Sequence, residues 1–415
     1  MAAQNPAGHV GITGHKMLYT AGPCSCLSVR SKKGGYKRHN MQEQEAKNSI
    51  VNGSVTHTTI HKRGVYNMKK TLVIILTALF FIAGSQAFAA EKVNWRLVTH
   101  AMPGTEQQRI AEVFSETVKT LSNGNFVIET YPAGMLFPVF ETFDNLANGV
   151  VNAAMVYSAY WTGKDPLFNF TTQPGSPLST YAEGAYLVEQ IEPWFEKLYA
   201  KYRIKYLGHA MVSPLYEQLM SVVPIDSIDK LQGLRIRASG MGGQYYRALG
   251  ASPVSLSAPE IYTALQTKSI EAAEWTFWDE NMRMGFHEVV TYVKDPAFQN
   301  GTCEYFPLVV NPRSWDSLSD EYKEIVLAAR DRIRYLSAMV YNHEIMAREK
   351  WKAMPKITVV RWSPEDEAKA RSVGTKLIYE EAQKSPEGQE FLEIYRKTLW
   401  DLGYKEQARE LGYTE

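Results

Sequence analysis

The stretch "VNWRLVTHAMPGTEQQRIAEVFSETVKTLSNGNFVIETYPAG", residues 93–134, decides the fold class. Its first nine residues alternate apolar and polar, because successive side chains on a strand face opposite sides. Apolar residues then recur at helical spacing until Gly124 stops the helix. "NFVIETYPAG" returns to strand periodicity. Outward from this unit, 138–150 reads as a helix and "VNAAMVYSAYW" (151–161) as a strand running into an aromatic loop. Residues 180–204 read as a helix and 205–212 as a strand. Strands alternating with helices predict an α/β domain with a largely parallel sheet.

A second α/β stretch begins near residue 213. "DSIDKLQG" (226–233) is a turn and short helix leading to the strand "LRIRA" (234–238), a Gly240–Gly243 loop and a helix closed by Gly250. Ser257 with Glu260 three positions on forms a capping box. "EAAEWTFW" (271–278) and "FPLVVN" (306–311) read as strands. Ser319 caps a long helix running toward Lys350, and the tail from Ser363 onward reads as helical.

The amino-terminal part differs in kind. "MKKTLVIILTALFFIAGSQAFAA" (68–90) has a positive start, an apolar core and a small-x-small cleavage site, the anatomy of a secretory signal peptide over 68–89. The apolar core is shorter than the roughly 20 residues needed to span a bilayer. A signal is read at an amino terminus, so residues 1–67 are expected to be an upstream extension without order, with Met68 as the true start. Residues 1–89 hold 11 of the 45 Lys and Arg but only two of the 44 Asp and Glu. The remaining 326 residues therefore carry 34 basic against 42 acidic side chains, a net charge of −8 rather than +1. That balance argues against nucleic acid as a partner. Only Cys303 remains, so no internal disulfide is expected, and 326 residues are enough for two lobes.

Several chemistries are missing. No GxSxG elbow occurs, and both His-Glu pairs (His287-Glu288, His343-Glu344) lack the second histidine of HExxH. "GMGG" has neither the GxGxxG spacing nor a following Lys-Ser/Thr. No enzyme is expected.

Three constellations are present. Arg237 ends the strand "LRIRA" just before a glycine loop and helix, where α/β domains bind ligands. Its guanidinium fork suits a carboxylate. The plainer alternative, a surface ion pair, stays open on spacing alone. In "AAEWTFWD" (272–279), Glu274 sits among Trp275, Phe277 and Trp278. It would hold a hard cation or a ligand hydroxyl, or serve only as a salt-bridge partner within an aromatic core. In "VYSAYWTGKDPLF" (156–168), Tyr157, Tyr160 and Trp161 either wall a pocket or pack between lobes.

Taken in order, "YPAGMLFPVFETFDNLANGVVNAA", "YWTGKDPLF", "EQLMSVVPIDSIDKLQGLRIRASG", "SLSAPEIYTALQTKSIEAAEW" and "LVVNPRSWDSLSDEYKEIV" resemble the periplasmic substrate-binding proteins of tripartite ATP-independent periplasmic (TRAP) transporters, the DctP-like family. "LFPVFE", "GKDP" and "EAAEW" resemble its branch for 2-oxo acids and lactate. The resemblance implies a two-lobed α/β clamshell of the type II-like periplasmic-binding-protein kind, with crossover strands and a long helix backing both lobes. Its divisions would be 90–212 (first lobe), 213–304 (second lobe) and 305–415 (return to the first). It implies that Arg237 pairs with the ligand carboxylate and that Glu274 and Trp275 contribute to ligand and cation binding. Glu217 or Gln218 would fill the role of an upstream glutamine. Tyr160, Trp161 and Phe277 would complete the ligand set, with Glu274, Trp275 and Gln218 as metal candidates. No cofactor is required, and a sodium or calcium ion bridging the ligand is compatible with this set. The implied function is a periplasmic receptor for an organic monocarboxylate, a 2-oxo or 2-hydroxy acid. It would deliver the ligand to the small and large membrane subunits of an ion-gradient-driven permease. The alternatives are an ABC-type or chemoreceptor-linked binding protein, or a periplasmic hydrolase or lyase with Glu274 as base. Two departures from the family are visible: Lys268 replaces the usual glycine of a "QTG" turn, and "TFWDENM" is bulkier than expected.

Overall fold

The computed structural model of the chain describes residues 92–212, 217–299 and 305–414. The upstream extension, the signal peptide and Cys303 lie outside these residues. In chain order, the first half contains β1 (Val93–Thr99), α1 (Glu106–Leu121), β2 (Phe126–Tyr131), α2 (Thr142–Asn148), β3 (Ala153–Met155), α3 (Tyr181–Ala200) and β4 (Lys205–Val212). Next come β5 (Leu219–Ser221), β6 (Arg235–Arg237), α4 (Gly240–Ala248), β7 (Ser252–Val254), α5 (Ala258–Gln266), β8 (Ala272–Glu274), α6 (Trp278–Arg283) and β9 (Tyr292–Lys294). The last part contains β10 (Tyr305–Val310), α7 (Asp320–Met339), α8 (Tyr341–Lys352), β11 (Thr358–Val360), α9 (Pro364–Ala382), α10 (Pro386–Asp401) and α11 (Lys405–Glu410).

Two sheets form two lobes. The first runs β2-β1-β3-β10-β4 and the second β11-β9-β5-β8-β6-β7. β1, β2 and β3 are mutually parallel, but β10 is antiparallel to both β3 and β4. In the second sheet β5 is the antiparallel member, paired with β8 and β9. Each sheet is therefore mixed rather than parallel, because each accepts a strand entering from the other lobe. The chain crosses after β4, after β9 and again from α7 to α8.

Local chemistry explains the element starts. Thr180 and Glu183 form a reciprocal capping box for α3, and Ser257 and Glu260 do so for α5. Ser319 accepts the Tyr322 N–H at the start of α7. Each lobe packs its own core. Trp95, Phe114 and Ile333 lie under one face of the first sheet. Phe143, Trp161, Trp194 and Phe391 lie under the other.

Two expectations need correction. The single helix from Ser319 toward Lys350 is two helices that meet at Val340. The Ser337 hydroxyl donates to the Arg334 carbonyl at 2.7 Å, and Val340 N–H bonds Ser337 O, an i−3 contact. Such back-bonding competes with the regular ladder and bends a helix. The bend falls where α7, packed on the first lobe, gives way to α8, whose Ala347 and Trp351 join the core of the second. The return over 305–415 is likewise discontinuous, since β11 pairs with β9 in the second sheet before α10 and α11 rejoin the first lobe.

Candidate functional site

β6 is only three residues long, yet it sets the centre of the site. Ile236 is fully buried in the core of the second lobe. Arg237, at the carboxyl end, is only 2% exposed. Its Nε donates to the Leu256 carbonyl at 3.0 Å. Nη1 donates to the Glu274 carbonyl at 2.9 Å and to Glu274 Oε1 at 2.8 Å. Nη2 reaches Tyr160 Oη, on the first lobe, at 3.4 Å. The Trp275 ring covers the guanidinium with its centroid 4.9 Å from Cζ, a cation–π contact strengthened by desolvation.

The electrostatics follow from this packing. Burial opposes the charge on Arg237, but the neighbouring Glu274 carboxylate holds its pKa above the ordinary value. Burial pushes Glu274 upward, against the pull of Arg237 and of the Ser239 N–H that bonds Oε1 at 3.1 Å. A buried pair of this kind is costly to desolvate and weak evidence for stability alone. The indole Nε1–H of Trp275 is buried with no acceptor among the described residues. Buried donors without partners are uncommon and ask for a reason.

A second row of polar groups supports the first. Gln299 donates to Glu217 Oε2 at 3.0 Å and accepts from Tyr246 Oη at 2.8 Å. Asn281 donates to Gln218 Oε1 at 3.3 Å and to the Thr276 carbonyl at 3.0 Å. Across the cleft, His100 stacks on Phe306 with ring centroids 4.8 Å apart and stands edge-on to Tyr160. Burial drives its pKa down to about 4, so it is neutral near pH 7. Its Nδ1 lies 3.2 Å from the Met155 carbonyl, which assigns the proton to Nδ1.

Arg237, Glu274, Trp275, Tyr160, Glu217 and Gln218 thus fall in one neighbourhood. Two members of the expected set do not. Trp161 is 1% exposed and packs among Phe143, Phe168 and Tyr199 in the first-lobe core. The short helical turn Ser158–Trp161 turns neighbouring side chains in different directions, so Tyr160 faces the cleft while Trp161 faces inward. Phe277 is buried at the start of α6, lining a void of about 20 Å3 with Glu106, Gln107 and Thr276. Trp278 is core, against Trp351. His100, Gln299, Tyr246 and Asn281 were not singled out from the sequence. Only the position of His100 at the end of a strand could have flagged one of them.

A hard cation needs six to eight oxygen ligands. Glu274, Glu217 and Gln218 offer oxygens here, but Glu274 Oε1 already serves two donors. No group of three His, Cys, Asp or Glu able to hold a metal occurs among the described residues. The protein oxygens therefore suit a cation only if a bound ligand completes the shell. Beside this centre, an open groove of about 520 Å3 runs between Phe140 and Tyr160 of the first lobe and Ser239, Gly240 and Arg247 of the second.

Comparison with known proteins bears on this geometry. The family model described as bacterial extracellular solute-binding protein, family 7, matches residues 97–385. A monocarboxylate 2-oxoacid-binding periplasmic protein of Nostoc sp. is 28% identical over 239 residues, which is 57% of this chain and 65% of the relative, just under two thirds of its length. A TRAP solute-binding protein from Bordetella bronchiseptica, with calcium and picolinate in its active site, has a TM-score of 0.70 at 24% identity, covering 76% of this chain and 94% of its own. One from Pseudoalteromonas atlantica, with sodium and pyruvate, has a TM-score of 0.69 at 24% identity, covering 78% and 100%. These two likenesses concern the fold.

Proposed function

The chain belongs to the bacterial extracellular solute-binding proteins of family 7, and on that premise we propose that it binds a small organic monocarboxylate, a 2-oxo or 2-hydroxy acid, at Arg237. The observation that carries this reading is the pairing of a buried guanidinium with a buried indole N–H that has no acceptor among the described residues. Both are donors: the indole has no acceptor among the described residues, and Arg237 Nη2 has only the long 3.4 Å contact to Tyr160 Oη, so a carboxylate or α-oxygen can accept from both. The Nostoc relative binds 2-oxo monocarboxylates by its description, and the Pseudoalteromonas protein holds pyruvate. Arg237 orients the carboxylate, Trp275 covers it and donates to it, and Tyr160 closes the site from the first lobe.

Glu274 already balances Arg237, so an arriving anion brings an excess negative charge. A sodium or calcium ion held by Glu274, Gln218 and the ligand would offset it, and Glu217 adds a further oxygen. The ion supplies only charge and bridging. Because Glu274 is engaged by Arg237 and Ser239, its chemistry suits binding better than proton abstraction. The receptor would act in the periplasm after removal of the leader at 68–89. It would then pass its ligand to an ion-gradient-driven permease. Calorimetry with pyruvate, lactate and 2-oxobutyrate, with calcium or with chelator, tests the reading. Micromolar or tighter binding of at least one is expected, and none binding under any ion condition would refute the ligand class.

A further inference from the structure

One contact between the lobes lies apart from Arg237. Glu280, on α6 of the second lobe, is 3% exposed. Its Oε2 accepts the backbone N–H of Glu106 at 2.8 Å. Glu106 is the first residue of α1, a 16-residue helix of the first lobe whose own cap is Thr105. The first N–H groups of a helix have no partner within it, and the helix end is partly positive. A carboxylate from the other lobe thus caps a helix it does not belong to. The same short segment runs from Glu274 and Trp275 through Thr276 to α6, and Asn281 ties it to Gln218. A movement at the candidate site would therefore reach Glu280 within a few residues.

We propose that Glu280 is a closure latch, a side chain that engages the amino-terminal end of α1 when the lobes shut and slows reopening. This rests on the two-lobe binding reading but adds to it the contact that holds the closed form. Among the described residues Glu280 Oε1 has no partner, nor has Gln107 Oε1, and both residues line the void of about 20 Å3, room for a single water. The facing charges are Glu106 and Arg109 on α1, Asp279 and Arg283 on α6, and Glu344 on α8. Glu106 is paired with Arg109 and Asp279 with Arg283. Glu344 accepts the Asp279 N–H, and burial pushes it up to about 8, so it holds its proton at neutral pH. Burial pushes Glu280 up to about 7. In an open form the solvated carboxyl would titrate near the ordinary value for glutamate, about 4.3. The closed form therefore binds the proton more tightly, so its advantage is full at low pH and is lost as pH rises through about 7.

The test compares Glu280→Ala and Glu280→Gln in the full chain, with pyruvate and calcium as the probe. Dissociation should quicken about tenfold in Glu280→Ala, the value of one buried hydrogen bond whose donor is left without an acceptor, while the melting temperature without ligand stays unchanged. Glu280→Gln keeps an acceptor oxygen and should restore slow dissociation, without its pH dependence. Unchanged dissociation with a lower ligand-free melting temperature would show a fixed structural contact and overturn the latch. If the parent protein fails to bind pyruvate, lactate or 2-oxobutyrate replaces it as the probe, and if none binds, the ligand class fails and hydrogen exchange decides the latch. Faster exchange in Glu280→Ala at the Glu106 amide together with cleft amides of both lobes, such as those of Tyr160 and Ser239, supports it, and a change confined to Glu106, or none, overturns it.

Discussion

Two arginines on β6, one residue apart, meet two glutamates at either end of β8, and their fates diverge. At the rim, the Arg235 side chain is 52% exposed and its Nε lies 3.4 Å from Glu271 Oε2. In the cleft, Arg237 and Glu274 are 2% and 5% exposed and meet at 2.8 Å. Water screens the first pair and leaves it worth little. The second is desolvated, so each partner depends on the other, and any ligand that enters must be written into the same charge balance. The same residue types on the same strand thus serve as surface decoration in one place and as the centre of the site in the other.

The largest effect should come from breaking the buried side. Arg237→Ala leaves Glu274 buried without its cation and should cost about 3–5 kcal/mol of stability, read by chemical denaturation, together with several kcal/mol of carboxylate affinity. Next is the approach of the lobes at Gly240. A Cβ there would lie 2.8 Å from Ala159 Cβ across the cleft, and its φ is +55°. Gly240→Ala should therefore weaken ligand binding by about 1–2 kcal/mol, seen as a raised Kd by calorimetry. Smaller again is a change at the rim turn. Lys268 has φ +57° and its carbonyl accepts from Arg235 Nη2 at 3.1 Å. Lys268→Gly should relieve strain and stabilise the fold by about 1 kcal/mol, raising the melting temperature without altering Kd. Smallest is Arg235→Ala, expected within about 0.5 kcal/mol of the parent by denaturation and silent in binding. An Arg235→Ala effect as large as that of Arg237→Ala would erase the contrast.

The α/β rhythm and the Ser257–Glu260 capping box are legible in the sequence because they are local patterns of period and spacing. Spacing alone leaves Arg237 open between a ligand site and a surface ion pair, and only the family resemblance points to the first. Lys268, which stands where the family usually has glycine, takes the left-handed conformation that a glycine would adopt freely. What stayed hidden depends on distance along the chain. Glu280 caps a helix 174 residues away, so no window of sequence contains both partners. Gln299 and Tyr246 support Glu217 from other elements. Trp161 departs from the ligand set that the resemblance implies because an aromatic pair in a short helical turn splits between cleft and core, which composition alone does not decide. The bend at Val340 depends on which lobe each half of the helix covers, again a tertiary matter.

The central claim is that Arg237 faces the carboxylate of the bound molecule. A crystal structure of the protein with pyruvate and calcium, or with whatever acid copurifies, tests it most directly. The account predicts a ligand carboxylate oxygen about 2.8 Å from an Arg237 Nη, with the Trp275 Nε1–H donating to the same molecule. A ligand seated in the outer groove between Phe140 and Arg247, with Arg237 still paired only to Glu274, would contradict it.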